Sequence, residues 1–247
     1  MTILVLTGIK EELTTLLSRY SFVFEKDLRV YRSLSVPGLY AATTGPGMRK
    51  VAPIKKILES LLPEIIINAG IVGILDERDS AKSGDRLKLG QVVKSQNGTI
   101  FPGGPGSDIL VTVDRPVHDI LDKIDLAERF RARACDMEAS RIIELVGSIK
   151  ALSYRSVIHF IKIAGDRPEE AALYEYEYRL WNWQHKSFFE KLKIAIRFPG
   201  GPKSFYQLKR SKAKALQNLG SEIFNTIQSI RKASGIPNSL GSIFIPH

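Results

Sequence analysis

A single cysteine, Cys135, and four histidines are all that 247 residues offer in soft or imidazole ligands. An internal disulfide framework is therefore excluded, and no Cys/His spacing matches a metal site. A lone cysteine fits a reducing compartment. No His neighbours Cys135 in sequence, so packing in a core suits it better than nucleophilic chemistry. No apolar run reaches the roughly 20 residues that a membrane-spanning helix needs. The N-terminus enters a strand pattern at once, without the basic stretch and apolar core of a secretion signal. The expectation is a cytoplasmic protein without a signal peptide, away from membranes. There is no internal repeat.

Charge is present but uneven. The net charge is +10. Residues 1–170 carry 24 basic and 22 acidic side chains, and residues 171–247 carry 12 and 4. The excess thus belongs to the last third of the chain. Such a face can meet a polyanion, but a solvated basic surface is the simpler reading, and no nucleic-acid-binding signature accompanies it. Tyr174, Tyr176, Tyr178, Trp181, Trp183, Phe188 and Phe189 crowd the same region. So many rings would form a large apolar patch if left in water. Residues 171–206 are expected to pack over a pocket mouth or against a second subunit.

Apolar patterning gives the fold class. Residues 2–7, 64–69, 87–93, 109–113 and 156–164 read as strands, several of them apolar almost throughout, as strands buried on both faces are. Helical spacing covers 11–19, 50–62, 119–130, 139–146 and a stretch from Lys209 to about Arg231. Residues 28–43 suit a hairpin turning at Pro37-Gly38. Thr43 to Met48 and Gly70 to Gly73 read as glycine-rich turns, and residues 97–107 as a Gly/Pro loop. Strand, helix, strand in that rhythm predicts an α/β domain over residues 1–247: three layers around a central, mostly parallel sheet. In such a fold, acids placed after strands or at helix starts meet at the carboxyl edge, where ligands bind. Glu11-Glu12, Asp136-Met137-Glu138 and Asp166 all occupy such places.

Several of these segments, in chain order, resemble the purine nucleoside phosphorylase-like superfamily, above all the 5′-methylthioadenosine/S-adenosylhomocysteine nucleosidases. Thr7-Gly8 followed by Glu11-Glu12-Leu13 looks like the family's first strand and its Glu-Glu turn. Thr44-Gly45-Pro46-Gly47-Met48-Arg49-Lys50-Val51-Ala52 is similar to its Ser-Gly-Ile-Gly-Lys-Val-Ala-Ala loop. Pro63 to Gly73 resembles Pro-Asp-Val-Ile-Ile-Asn-Thr-Gly-Ser-Ala-Gly, and Leu87 to Val93 resembles Leu-Lys-Val-Gly-Asp-Ile-Val. Asp136-Met137-Glu138-Ala139 and Ala164-Gly165-Asp166 resemble Val-Glu-Met-Glu-Ala and Ile-Ser-Asp. The matches span residues 2–166.

The resemblance implies cleavage of an N-glycosidic bond, without cofactor or metal, in a small-molecule nucleoside, by a protein that commonly forms dimers. Glu12 then matches the acid that activates water, Glu138 the acid that holds the ribose hydroxyls, and Met137 the residue lining the sugar. Asp166 matches the acid that protonates the departing base, a role that needs a raised proton affinity. Gly70, Ile71 and Gly73 supply backbone amides to the pocket, and Gly45 and Gly47 line it. Arg49 follows a glycine-rich turn and is a candidate oxyanion ligand, which keeps phosphorolysis open beside hydrolysis. A non-catalytic nucleoside- or polyanion-binding module is the third possibility. Two departures stand out. Ile71 occupies the position of a family Ser, and Asp114-Arg115-Pro116-Val117 stands where the family carries Asp-Ala-Phe-Ile with its base-stacking Phe.

Overall fold

The computed structural model describes residues 1–48, 51–76, 78–165, 187 and 201–235. One mixed sheet runs through it, flanked by helices on both faces. Its strands are β1 (Ile3–Thr7), β2 (Phe22–Glu25), β3 (Val30–Ser33), β4 (Leu39–Thr43), β5 (Ile65–Ile74), β6 (Leu89–Lys94), β7 (Ile100–Pro102), β8 (Asp108–Thr112), β9 (Ala134–Asp136) and β10 (Val157–Ala164). The helices are α1 (Lys10–Leu17), α2 (Val51–Leu61), α3 (Ile120–Phe130), α4 (Ala139–Ser148), α5 (Lys150–Ser153) and α6 (Gly201–Ala233). The expected α/β architecture is present.

Strand order is β2-β3-β4-β1-β5-β9-β8-β6-β7, with β10 on the other edge of β5. The central pairings of β1 with β4 and β5, and of β5 with β10, are parallel. So are those of β6 with β8 and of β8 with β9. Antiparallel pairing is left to β2-β3-β4, to β6-β7 and to a short β5-β9 ladder.

The layers follow from alternation along the strands. On β1, Ile3 and Val5 face a core built with Leu13 and Leu16 of α1 and with Ala215, Leu219, Ile223 and Ile227 of α6. Leu4 and Leu6 face the opposite core, with Ile54, Ile57 and Leu58 of α2 and Ile142, Leu145 and Val146 of α4. Both faces of β1 are fully enclosed, which is why its sequence shows no polar alternation.

Three sequence-based expectations change. Gly70 to Gly73 is not a turn: β5 continues through it, pairing Gly70 with Lys162 and then Gly73 with Cys135. Small residues read as a breaker, but here they let neighbouring side chains approach the strand. The Gly/Pro loop contains β7, paired with β6. Residues 134–136, whose three side chains are all buried, form a short strand between β5 and β8. Cys135 lies buried in it. The aromatic segment 171–206 falls outside the described residues, apart from Ser187 and the backbone of the first turns of α6. No helix among the described residues is long and apolar enough to cross a membrane.

Candidate active site

Glu12 sits in the first turn of α1, directly after β1. Its Oε2 accepts the backbone N–H of Ile9 at 3.1 Å, the glutamate half of a capping box. Ile9 has no side-chain acceptor to supply the other half. Oε1 accepts the N–H of Ile71 at 2.8 Å, so one carboxylate ties the head of α1 to the end of β5. Burial pushes the proton affinity of Glu12 up. The amides of Ile71, Ile9 and Gly8 and the charge of Lys162 pull the other way.

Glu138 is the N-cap of α4 but makes no capping bond to its own helix. Its Oε1 instead accepts the N–H of Gly47 at 2.7 Å. Burial raises its pKa to about 7, with further pushes from Asp136 and Glu12, opposed by Lys162 and the Gly47 amide. The residue is only half-buried, but its carboxyl turns inward. A Cβ placed on Gly8 would stand 3.3 Å from Glu138 Oε1 and 3.4 Å from Glu12 Oε2. The two carboxylates therefore flank one point on the chain, and glycine at position 8 keeps the approach between them open. Gly70 does the same between Glu12 Oε1, 3.3 Å from its would-be Cβ, and Lys162 Nζ, at 3.8 Å.

Beneath this pair lies a buried ion pair. Lys162 Nζ of β10 donates to Asp136 Oδ2 at 2.7 Å, both side chains almost fully enclosed. Asp136 is otherwise saturated. Thr112 Oγ1 donates to Oδ1 at 2.8 Å, and the N–H of Ala139 donates to Oδ2 at 3.0 Å. Three acids share one buried cation here. Low local dielectric makes full ionisation of all three costly, and the excess falls on Glu12 and Glu138. Asn68 Oδ1 and Ser140 Oγ are also buried, with no hydrogen-bond partner among the described residues. Among the described residues no group of three His, Cys, Asp or Glu could hold a metal.

No protein-family model matches the sequence, and no curated protein does. Solved structures do match. Futalosine hydrolase of Helicobacter pylori superposes with a TM-score of 0.66 at 12% identity, over 93% of this chain and 98% of its own. The 5′-methylthioadenosine/S-adenosylhomocysteine nucleosidase of the same organism, complexed with a pyrrolo-pyrimidine pyrrolidinol, gives the same figures. The corresponding nucleosidase of Chlamydia trachomatis matches at a TM-score of 0.57 and 16% identity, over 93% and 98%. The fold is nucleoside phosphorylase-like.

On this nucleoside phosphorylase-like fold, Glu12, Glu138, Met137, Gly47, Gly70 and Ile71 lie together. Met137 Cε would meet a Cβ on Gly47 at 3.1 Å. The N–H of Ile71 is spent on Glu12 and does not form part of a free anion cradle. Gly73 is set apart, in the β5-β9 ladder. Gly45, in a left-handed conformation, has no atom of the described residues within 4 Å of where a Cβ would stand. Arg49 and Asp166 lie outside the described residues. Gly165, just before Asp166, is pinned to β5 by its N–H on Val72 O at 2.9 Å. Sequence reasoning gave no role to Lys162 or Thr112, and none to Asp136 beyond its place after a strand. One signal was there: a lysine inside the apolar run of β10 can be buried only with a partner.

Proposed function

We propose that the protein hydrolyses the N-glycosidic bond of a nucleoside or nucleoside-like substrate. The observation that supports this most is the facing pair of enclosed carboxylates, Glu12 and Glu138, brought from α1 and α4 to either side of Gly8. Each is held by a backbone amide from a third segment. Such a pair separates two tasks. Glu138 accepts the ribose hydroxyls. Glu12, with its raised proton affinity, takes a proton from water. The water oxygen bonds to C1′ as the C1′–N bond breaks, and the base departs with a proton that we assign to Asp166 by resemblance. The solved nucleosidases of the same fold support the class of reaction.

The reading carries further expectations, which rest on the resemblance: one domain, a homodimer, a cytoplasmic site of action, and a place in purine metabolism or methionine salvage. Release of free base from a nucleoside panel, with and without phosphate, tests the proposal. Base released equally in both conditions is the expected result. Release that requires phosphate makes the protein a phosphorylase. Nucleoside binding without release by the intact protein overturns the catalytic reading.

A further inference from the structure

The start of α4 holds residue Gly47 at both of its backbone polar groups, which belong to successive peptides. Glu138 accepts its N–H, and Arg141, three residues on and on the same helix face, donates from Nη1 to its carbonyl. The second arm of the guanidinium, Nη2, pairs with Asp114 Oδ1. Asp114 is itself held through Oδ2, which accepts from Gln96 Nε2 at 2.5 Å. One arginine thus joins three segments: α4, the loop ahead of α2, and the loop after β8.

The loop needs such a hold. Gly45, Gly47 and Met48 all have positive φ, of 75°, 64° and 46°. Met48 is a conformation that L residues seldom adopt, yet it is buried. Backbone of this kind persists only where its surroundings over-determine it. Gly47 is also the residue that must fit between Met137 and the carbonyl of Asp114, 3.1 and 3.8 Å from its would-be Cβ.

We propose that Arg141 is a positioning residue of this site, clamping Gly47 so that its N–H stays on Glu138 and fixes the carboxylate for the sugar. The proposal rests on the nucleosidase reading for the identity of the ligand, but not for the clamp. Arg141 touches no reacting atom. It acts through residue Gly47, whose carbonyl it binds and whose N–H binds Glu138. Without it the loop relaxes and the Gly47 N–H leaves Glu138. The charged form of Glu138 then loses a hydrogen bond that favours it. The other ionisable groups acting on Glu138 stay in place: Glu12 from α1, Asp136 from β9 and Lys162 from β10.

Two readouts on the full-length chain test this. In nucleoside hydrolysis, Arg141→Ala should raise KM about tenfold with a smaller change in kcat, the loss expected for one hydrogen bond to a charged group. In a carbon-13 titration of labelled glutamates, with Glu138 assigned by Glu138→Gln, Arg141→Ala should move the Glu138 transition up by about one pH unit. Arg141→Lys, a single donor group without the planar fork, should rescue thermal stability but restore neither readout fully. Asp114→Ala should shift both in the same direction, by less. Glu138 titrating unchanged in a folded Arg141→Ala protein overturns the clamp, whatever the kinetics. If the wild type releases no base from any nucleoside, the nucleosidase reading fails, and the titration still decides the clamp.

Discussion

Glu138→Gln should make the protein more stable than the wild type at neutral and alkaline pH, while weakening nucleoside binding. In the folded chain the Glu138 pKa is raised from its ordinary value of 4.5 to about 7. Below about pH 4.5 the group is neutral in both folded and unfolded chains and makes no pH-dependent difference. As pH rises, the unfolded chain releases this proton first, so stability falls until the folded carboxyl ionises too, near pH 7. The loss across that window, at about 1.4 kcal/mol per pH unit, is roughly 3 kcal/mol. Solvent reaching the half-buried side chain screens this toward about 2 kcal/mol. Glutamine removes the titration and keeps an acceptor for the Gly47 N–H. Urea unfolding of both proteins from about pH 4 to pH 8 measures the effect, and the variant should gain on the wild type as pH rises. At the alkaline end, the gap corresponds to a melting difference of about 4–12 °C for a chain of this size. Parallel stability curves would refute the reasoning, because they would show that the carboxyl ionises as readily in the folded chain as in the unfolded one. If Glu138 holds ribose as proposed, the same substitution presents donors where the hydroxyls need acceptors, so KM and turnover should both worsen.

Other outcomes follow from neighbouring contacts. Lys162→Met leaves Asp136 charged and enclosed without its cation, and should cost roughly 3–5 kcal/mol of stability by chemical unfolding. Adding Asp136→Leu should recover part of that loss. Gly8→Ala places a methyl between the two carboxylates, and should suppress base release far more than it lowers the melting temperature. Gly220→Ala drives a methyl to 2.1 Å from Thr15 Oγ1, prising α6 from α1. A loss of roughly 1–3 kcal/mol is expected, with a smaller loss in the Thr15→Gly background.

The fold was readable where burial leaves an unbroken apolar record. β1, β5 and β10 are enclosed along much of their length, and helical stripes such as Ile54, Ile57 and Leu58 mark a single packed face. Short elements were not readable. β9 is three residues long, and β7 hides among Gly and Pro, which local reasoning assigns to turns. Gly70 and Gly73 misled for the same reason: they break patterns on paper, but in the sheet Gly70 provides close approach to Glu12 and Lys162, and Gly73 pairs with Cys135. The acids of the site stood out by their place after strands, and Glu12 and Glu138 do meet at Gly8. Their setting did not stand out, since the Lys162–Asp136 pair and the Arg141 bond to Gly47 join residues 26 and 94 positions apart.

The reach of β5 bears on how the chain comes to be folded. Its partners are β1 from the start of the chain, β9 from the middle and β10 near residue 160. The first-made strand is also covered by α6, a helix about 50 Å long that is made last of the described elements. Contacts so distant in sequence must close large loops before they stabilise anything, which slows folding. During synthesis, the α6-facing side of β1 and β5 therefore waits with only α1 to cover it while more than a hundred residues are added. For this chain, the interval between making β5 and docking α6 is when aggregation threatens most.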